Sequence, residues 1–469
     1  MSFAVGADMD RSKVFLIDYS RLEERWDPNY YRCMAEFRRR MKNCPVTPLK
    51  HSLVRVQYGI SERATEEPVG VPMLRMINLQ DDTWDLSDLK YIQMTEEEKK
   101  PYLLQYGDIL FNRTNSKELV GKSCVFNLPG EYVFASYLIR VRVKHGTLRP
   151  EYVTAFLSSD LGRIQIDAIS RQIAGMTNIN AEEIRSLSIP ALDDAAQNKV
   201  VTAWQGAIHM RDQTIEKARN VLATIDDILL DELGISRQAE PPNTLESRIF
   251  RRNFSSVSGK RIDPSANWKR LSLAGGKYPL RRLYDVAAIN PITRYPNLGA
   301  TILVSFVPMD AVSDVFGEIV DMQTRPLGQN ASYTPFQEND VIWAKITPCM
   351  ENGKSALARN LQRRVGYGST EFHVFRRRTT SLCPDYLHYL LRLKMVREYA
   401  SLNFTGSSGH QRVDENFFYR MEIPFPPLNA QEHIVTKVEA IKTKAKILFS
   451  EASSGLEKAK REIETLILS

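Results

Sequence analysis

Cysteine is sparse and scattered in this chain: five in 469 residues, Cys33, Cys44, Cys124, Cys349 and Cys383, with no Cys-x-x-Cys pair. That spacing argues against a disulfide framework or a zinc ribbon, and a reducing cytoplasm is the expected home. Long apolar runs are lacking too. None approaches the ~18 residues that cross a bilayer. The opening "MSFAVGADMDRSKVFLIDYS" has no basic segment followed by an apolar stretch, so neither a membrane span nor a signal peptide is expected. The seven histidines are dispersed, without the carboxylate spacing of a metal set. Gly-Lys-Ser occurs twice, at 121–123 and 353–355, but a phosphate-binding loop needs a glycine five residues earlier. Those positions hold Ser116 and Pro348, and proline has no N–H to offer a phosphate. A methyltransferase would show a Gly-rich loop and an Asn/Asp-Pro-Pro-aromatic element; neither is found. "GSSGH" (406–410) lacks the Gly-x-Ser-x-Gly order of a serine nucleophile, and "EEEKK" (96–100) reads as a solvated loop or helix start. No catalytic constellation and no metal site emerge.

What is present is a soluble, globular composition: 43% apolar and 25% charged residues, over a length that needs two or more cores. The net charge of +7 makes an acidic partner the better match.

The repeated Gly-Lys-Ser belongs to a duplication. "GDILFNRTNSKELVGKS" (107–123) aligns without a gap on "NDVIWAKITPCMENGKS" (339–355), a displacement of 232 positions. Asp108 meets Asp340, Ile109-Leu110-Phe111 meets Val341-Ile342-Trp343, and Arg113 meets Lys345. Each copy reads as a tight turn, a short buried strand and a polar loop. At a displacement of 234, "PEYVTAFLSSDLGRIQ" meets "PDYLHYLLRLKMVREY", Ile189-Pro190 meets Ile423-Pro424, and Ala196-Gln197 meets Ala430-Gln431. The chain is a tandem repeat of two domains, with a period far above that of solenoids.

Each copy closes with a long helix. Val201, Trp204, Ile208, Ile215, Leu222, Ile225 and Leu229 lie on one stripe of alternating 3 and 4 spacing, interrupted by Arg211. In the second copy Ile434, Val438, Ile441, Leu448, Leu456, Ile463 and Leu466 continue such a stripe, with a one-residue slip at Leu456. This rhythm is a coiled-coil seam and the slip a stutter. Pro190 and "PFPPL" (424–428) halt the segments before each helix, and "GISRQAEPPNTLES" (234–247) marks the boundary between copies. The expected organisation is 1–190 and 261–425 for the two globular domains, 191–234 and 426–469 for the helices, and 235–260 for a linker.

Two polar loops stand at matching places in each copy. In the first they contribute Arg113, Thr114, Asn115, Lys117 and, near the turn, Lys122, then Arg171, Gln172, Thr177, Asn178 and Asn180. In the second they contribute Lys345, Thr347 and Lys354, then Ser407, Ser408, His410, Gln411 and Arg412. Arg and Lys reach guanine's acceptor edge, and Asn and Gln pair with adenine. Loops that diverge while their scaffold repeats are what two readers of different base sequences would look like.

Taken with the order of "GDILFNRTNS" (107–116), "GMTNINAEEIRSLSIPAL" (175–192), "GSTEFHVFR" (368–376) and "IPFPPLNAQEHIV" (423–435), the chain resembles the specificity subunits of type I restriction–modification systems. The resemblance implies an α/β (α+β) chain of two target-recognition domains, held apart by two antiparallel helices in a pseudo-two-fold arrangement. It implies that each domain reads half of a split site in double-stranded DNA, and that the subunit has no activity of its own. It further implies recruitment of two methyltransferase subunits and of restriction subunits, on which S-adenosylmethionine, ATP and Mg are expected. The first copy departs from the family pattern, with Ser136-Tyr137-Leu138 where the second has Thr370-Glu371-Phe372. Two other readings of the residues stay open: a coiled-coil scaffold that binds only protein, and part of a fused restriction or modification enzyme.

Overall fold

The structure is a computed structural model and describes residues 27–80, 82–117, 119–173, 176–236, 244–249, 251, 253, 273–295, 298–330, 332–406 and 411–469. Its strands, in chain order, are β1 (Val46–Pro48), β2 (Leu53–Tyr58), β3 (Val71–Leu74), β4 (Lys90–Ile92), β5 (Ile109–Asn112), β6 (Thr114–Asn115), β7 (Ser123–Val125), β8 (Val133–Phe134), β9 (Leu138–Val143), β10 (Arg171–Ile173), β11 (Met176–Asn178) and β12 (Ser188–Pro190). The second copy supplies β13 (Leu280–Arg282), β14 (Ala287–Ile289), β15 (Leu303–Val307), β16 (Gln323–Pro326), β17 (Thr334–Gln337), β18 (Val341–Ala344), β19 (Ser355–Leu357), β20 (Val365–Gly368), β21 (Phe372–Arg377), β22 (Phe404–Thr405), β23 (Arg412–Val413) and β24 (Glu422–Pro424). The two long helices are Asp194–Leu233 and Leu428–Leu468. Contacts divide the chain into two compact units, Met1–Ile215 with Phe449–Ser469, and Glu216–Leu448. The division passes through both long helices, so each unit holds a stretch of each.

In the first unit the central sheet runs β2-β9-β5-β7, every neighbour antiparallel. Strand β5 is buried along its whole length, as its unbroken apolar run requires. Gly107, with φ +87°, makes the turn that precedes it, a left-handed geometry that glycine adopts without steric cost. Just after the turn, the buried carboxylate of Asp108 accepts from Gln105 N at 2.9 Å and pairs with Arg142 at 2.6 Å. Helix Pro150–Ser158 starts on a proline and lays Tyr152 and Phe156 into the core. Tyr152 closes the unit by donating to Pro190 O at 3.0 Å, beside the antiparallel pair β1–β12. The core also contains Val201, Trp204 and Ile208 of the first long helix and Leu456, Ala459, Ile463 and Ile467 of the second.

The second unit repeats this construction down to single hydrogen bonds. Its sheet β14-β21-β18-β19 has the same antiparallel order. Asn339, at φ +67°, stands where Gly107 stands. Asp340 accepts from Gln337 N at 2.8 Å and pairs with Arg376 at 2.7 Å. Tyr386 donates to Pro424 O at 2.9 Å, and β13–β24 pair in the register of β1–β12. Leu229, Leu230 and Leu233 lie in its core with Ile434 and Val438.

Two buried glutamines explain the aligned Ala-Gln pairs. Gln197 accepts from Arg149 N and donates to Leu192 O, and Gln431 accepts from Cys383 N and donates to Pro426 O, at 2.8 to 2.9 Å. Each ties the first turn of a long helix to the globular part and caps backbone groups that the turn leaves open. The first long helix ends at Gly234, φ +69°, and Ile235 folds back with its N–H on Leu230 O at 2.8 Å.

At the end of the second helix Ile467 is buried and Leu466 packs half-buried against the same core. Midway along the stripes, Ile215, Leu222, Ile441 and Leu448 are half-buried, and Ile225 packs on the edge of its core. The run 96–100 begins a short helix, Glu96–Lys99, capped by Thr95.

Candidate nucleic-acid interface

In each unit the polar loop after the buried central strand is joined to the later polar loop by backbone pairing. In the first, β6 pairs with β11 of the β10–β11 hairpin, setting Asn115 opposite Thr177 and Thr114 opposite Asn178. Ile179 N donates to Arg113 O at 2.9 Å, and Arg113 N donates to Tyr137 O at 3.1 Å. In the second, Val413 N donates to Lys345 O at 2.9 Å and Lys345 N to Glu371 O at 2.9 Å. Thr347 N then donates to Gln411 O at 3.1 Å, beside a bridge between Ile346 and Arg412. The same backbone junction is built twice, in spite of the differing triplets Ser136-Tyr137-Leu138 and Thr370-Glu371-Phe372.

On this common frame the side chains differ. The Arg113 guanidinium lies 5.1 Å over the Tyr58 ring and donates to Ser136 O at 3.3 Å, while its buried Nε has no protein acceptor among the described residues. Thr114 is buried and donates to Asn178 Oδ1 at 2.7 Å; Thr177 is buried behind it. The Asn115 side chain accepts from Ser116 N at 2.8 Å, and Lys117 is exposed. Arg171 is exposed and paired with Glu183 at 3.0 Å. In the second unit Arg412 grips Glu371 side-on, Nε donating to one carboxylate oxygen at 2.9 Å and a terminal nitrogen to the other at 2.7 Å. That hydrogen bond holds the Glu371 carboxyl below the usual carboxylate range. Thr347 bonds Glu351. Lys345 borders a cavity of about 320 Å³, lined also by Asn290, Tyr333, Thr334 and Phe372. Behind the junction His373 bridges Val413 O at 2.8 Å and the Asn290 side chain; burial pushes its pKa down, so the ring is neutral near pH 7.

Several expected contact residues are engaged or placed within the fold. Asn180 caps helix Ala181–Ser186 in a capping box with Glu183, which occupies its side chain. Lys354 donates to Met309 O at 3.1 Å, so its ammonium is engaged inside the fold. Lys122 lines a cleft of about 390 Å³ with Trp204, Arg211 and Leu456, on the helix side of its unit. Ser407, Ser408, His410 and the Gln172 side chain lie outside the described residues. Tyr58, Glu183 and Glu371 were missed in the sequence. Glu371 alone carried a signal, as part of the triplet Thr370-Glu371-Phe372 at which the two copies differ. Among the described residues no His/Cys/Asp/Glu group could hold a metal ion, and no helix is long and apolar enough to cross a membrane.

Comparison with known proteins accords with this geometry. Residues 314–450 match the family model described as the type I restriction modification DNA specificity domain. The specificity subunit of type I restriction enzyme EcoEI from Escherichia coli is 34% identical over 189 residues, which are 39% of this chain and 31% of that subunit. The matched stretch thus spans less than a third of that relative's length. The StySPI specificity subunit from Salmonella potsdam is 22% identical over 400 residues, 82% of this chain and 78% of the relative. A solved chain from a type I R-M system is 13% identical, with a TM-score of 0.47 over 90% of this chain and 96% of that one. Residues 314–450 thus match the type I restriction modification DNA specificity domain, and the chain resembles the specificity subunits of type I restriction enzymes.

Proposed function

We propose that this chain is the sequence-reading subunit of a type I restriction–modification complex, with each unit reading one half of a split site in double-stranded DNA. The observation that carries this reading is the twice-built junction of two polar loops, identical in backbone bonding and different in side chains. Identical frames present the readers alike, and different side chains give them different base preferences. The long helices, whose apolar stripes enter both cores, act as an antiparallel coiled-coil spacer. The chain is non-catalytic and recruits two methyltransferase subunits and the restriction subunits, which bind S-adenosylmethionine, ATP and Mg. It works where the DNA is, in the cytoplasm.

The test is the salt dependence of duplex binding by the full-length chain. A steep fall in affinity with salt is expected, and Lys117→Ala flattens the slope by about one unit per lost phosphate contact. Lys354→Met leaves the slope unchanged, because its ammonium is spent on Met309 O. A wild-type affinity indifferent to salt would favour the protein-only scaffold.

A further inference from the structure

In each unit one short loop reaches the long helix with an acidic side chain. In the first, Leu79 and Trp84 pair across the loop base, and Trp84 Nε1 donates to Val125 O at 3.1 Å. Asp82 sits at its tip with φ +60°, a left-handed geometry that costs a non-glycine residue energy unless its surroundings fix it. Its carboxylate accepts from Trp204 Nε1 at 2.5 Å and from Thr154 Oγ1 at 3.4 Å. Thr83 Oγ1 accepts from Arg211 at 3.4 Å. Trp204 and Arg211 are both on the first long helix.

The second unit has the same loop with other chemistry. Val312 and Ile319 pair across its base. Gly317, at φ +64°, leaves room for the Arg392 guanidinium, which an added Cβ would meet at 2.6 Å. Arg392 in turn donates to Asp314 O at 2.8 Å and to Val315 O at 3.3 Å, fixing the loop from below. Beside the base, where Ser313 N donates to Glu318 O at 2.9 Å, the Glu318 carboxylate takes Lys442 on one oxygen and Lys446 on the other, each at 2.7 Å. Lys442 is buried and also meets Tyr389 and Glu439, and Lys446 lies 5.4 Å over the Phe316 ring. Both lysines are on the second long helix.

Apolar packing of a globular part on a helix is non-directional and tolerates tilt. A carboxylate held between two donors is directional. We propose that these loops are clasps, in which Asp82 and Glu318 fix the angle at which each pair of reading loops stands on its helix and so set the separation of half-sites the chain accepts. The inference rests on the DNA reading above. Asp82 and Glu318 are positioning residues that touch no base.

The test presents full-length chains with duplexes carrying the selected half-sites at the preferred spacer and at spacers one base pair shorter and longer. Asp82→Ala and Glu318→Ala are expected to lower the preference for the best spacer at least fivefold, with base preferences inside each half-site intact. Asp82→Asn and Glu318→Gln keep an acceptor and retain the wild-type preference. Lys446→Ala, at a half-exposed position, removes one arm of the grip without threatening the fold and gives a smaller loss of the same kind. Amide exchange reads the clasp without DNA: residues 79–84 and 312–319 should exchange at least tenfold faster in the alanine variants, while the central strands keep their protection. Unchanged exchange refutes the clasp, and faster exchange with a wild-type spacer profile refutes its role in spacing. A wild-type chain that enriches no split site refutes the DNA reading instead, and the exchange result then decides the clasp alone.

Discussion

At Asp82, burial pushes the carboxyl pKa up to about 6, against the hydrogen bonds from Trp204 and Thr154 and the nearby charge of Arg211, and with a small push from Glu151. A raised carboxylate pKa means that the folded chain holds a proton which the unfolded chain has lost. Stability therefore falls as pH rises from the ordinary carboxylate value through about 6, and the full cost stands above that window. Asp82→Asn abolishes the charge and keeps the acceptor for Trp204. The first unit of that variant should resist urea better at pH 7, by up to about 3 kcal/mol, with a flatter dependence between about pH 4 and 6. Equal pH profiles for variant and wild type would show that the carboxylate is solvated. Such an acid was beyond sequence reasoning, because only the folded chain brings Trp204 onto Asp82. The same holds for Arg113. Its match to Lys345 was legible, but its seat on Tyr58 depends on β2 crossing beneath the loop.

The elements themselves were more legible, because periodicity and punctuation act locally. The buried strands β5 and β18 followed from their apolar runs and the turn residues before them, and both long helices from their stripes and flanking prolines. The Ala-Gln pairs were visible as an alignment, though not as the ties that seat the helices. What stayed hidden was register over distance. Where the second stripe ends depends on which face the first unit's core presents, and there Ile467 is buried while Leu466 packs half-buried beside it. Ile463 tests this packing. It is fully buried in a core assembled mostly from residues more than two hundred positions earlier. Ile463→Ala should therefore cost about 2–4 kcal/mol in the unfolding of the first unit. A loss confined to the second unit's transition, or a cost below about 1 kcal/mol, would mean that the helix end frays instead of packing.

For the whole molecule, duplication is an economical route to the split reader proposed above. One frame, copied, keeps its buried Asp–Arg pair, its tyrosine latch and its loop junction, while the loop side chains and the clasp chemistry are free to diverge. The repeat was evident in the sequence because buried positions constrain residue type. The side chains proposed to read bases were not, since polar loops of any purpose share one composition. The most direct measurement is selection from a random duplex pool by two full-length chains: the wild type, and a variant whose residues 112–118 and 170–180 come from a relative. The expected result is a site of two short conserved blocks separated by unread base pairs, of which the loop exchange rewrites one block and leaves the other untouched. An uninterrupted site, no enrichment by the wild type, or an exchange that alters both blocks would contradict the account.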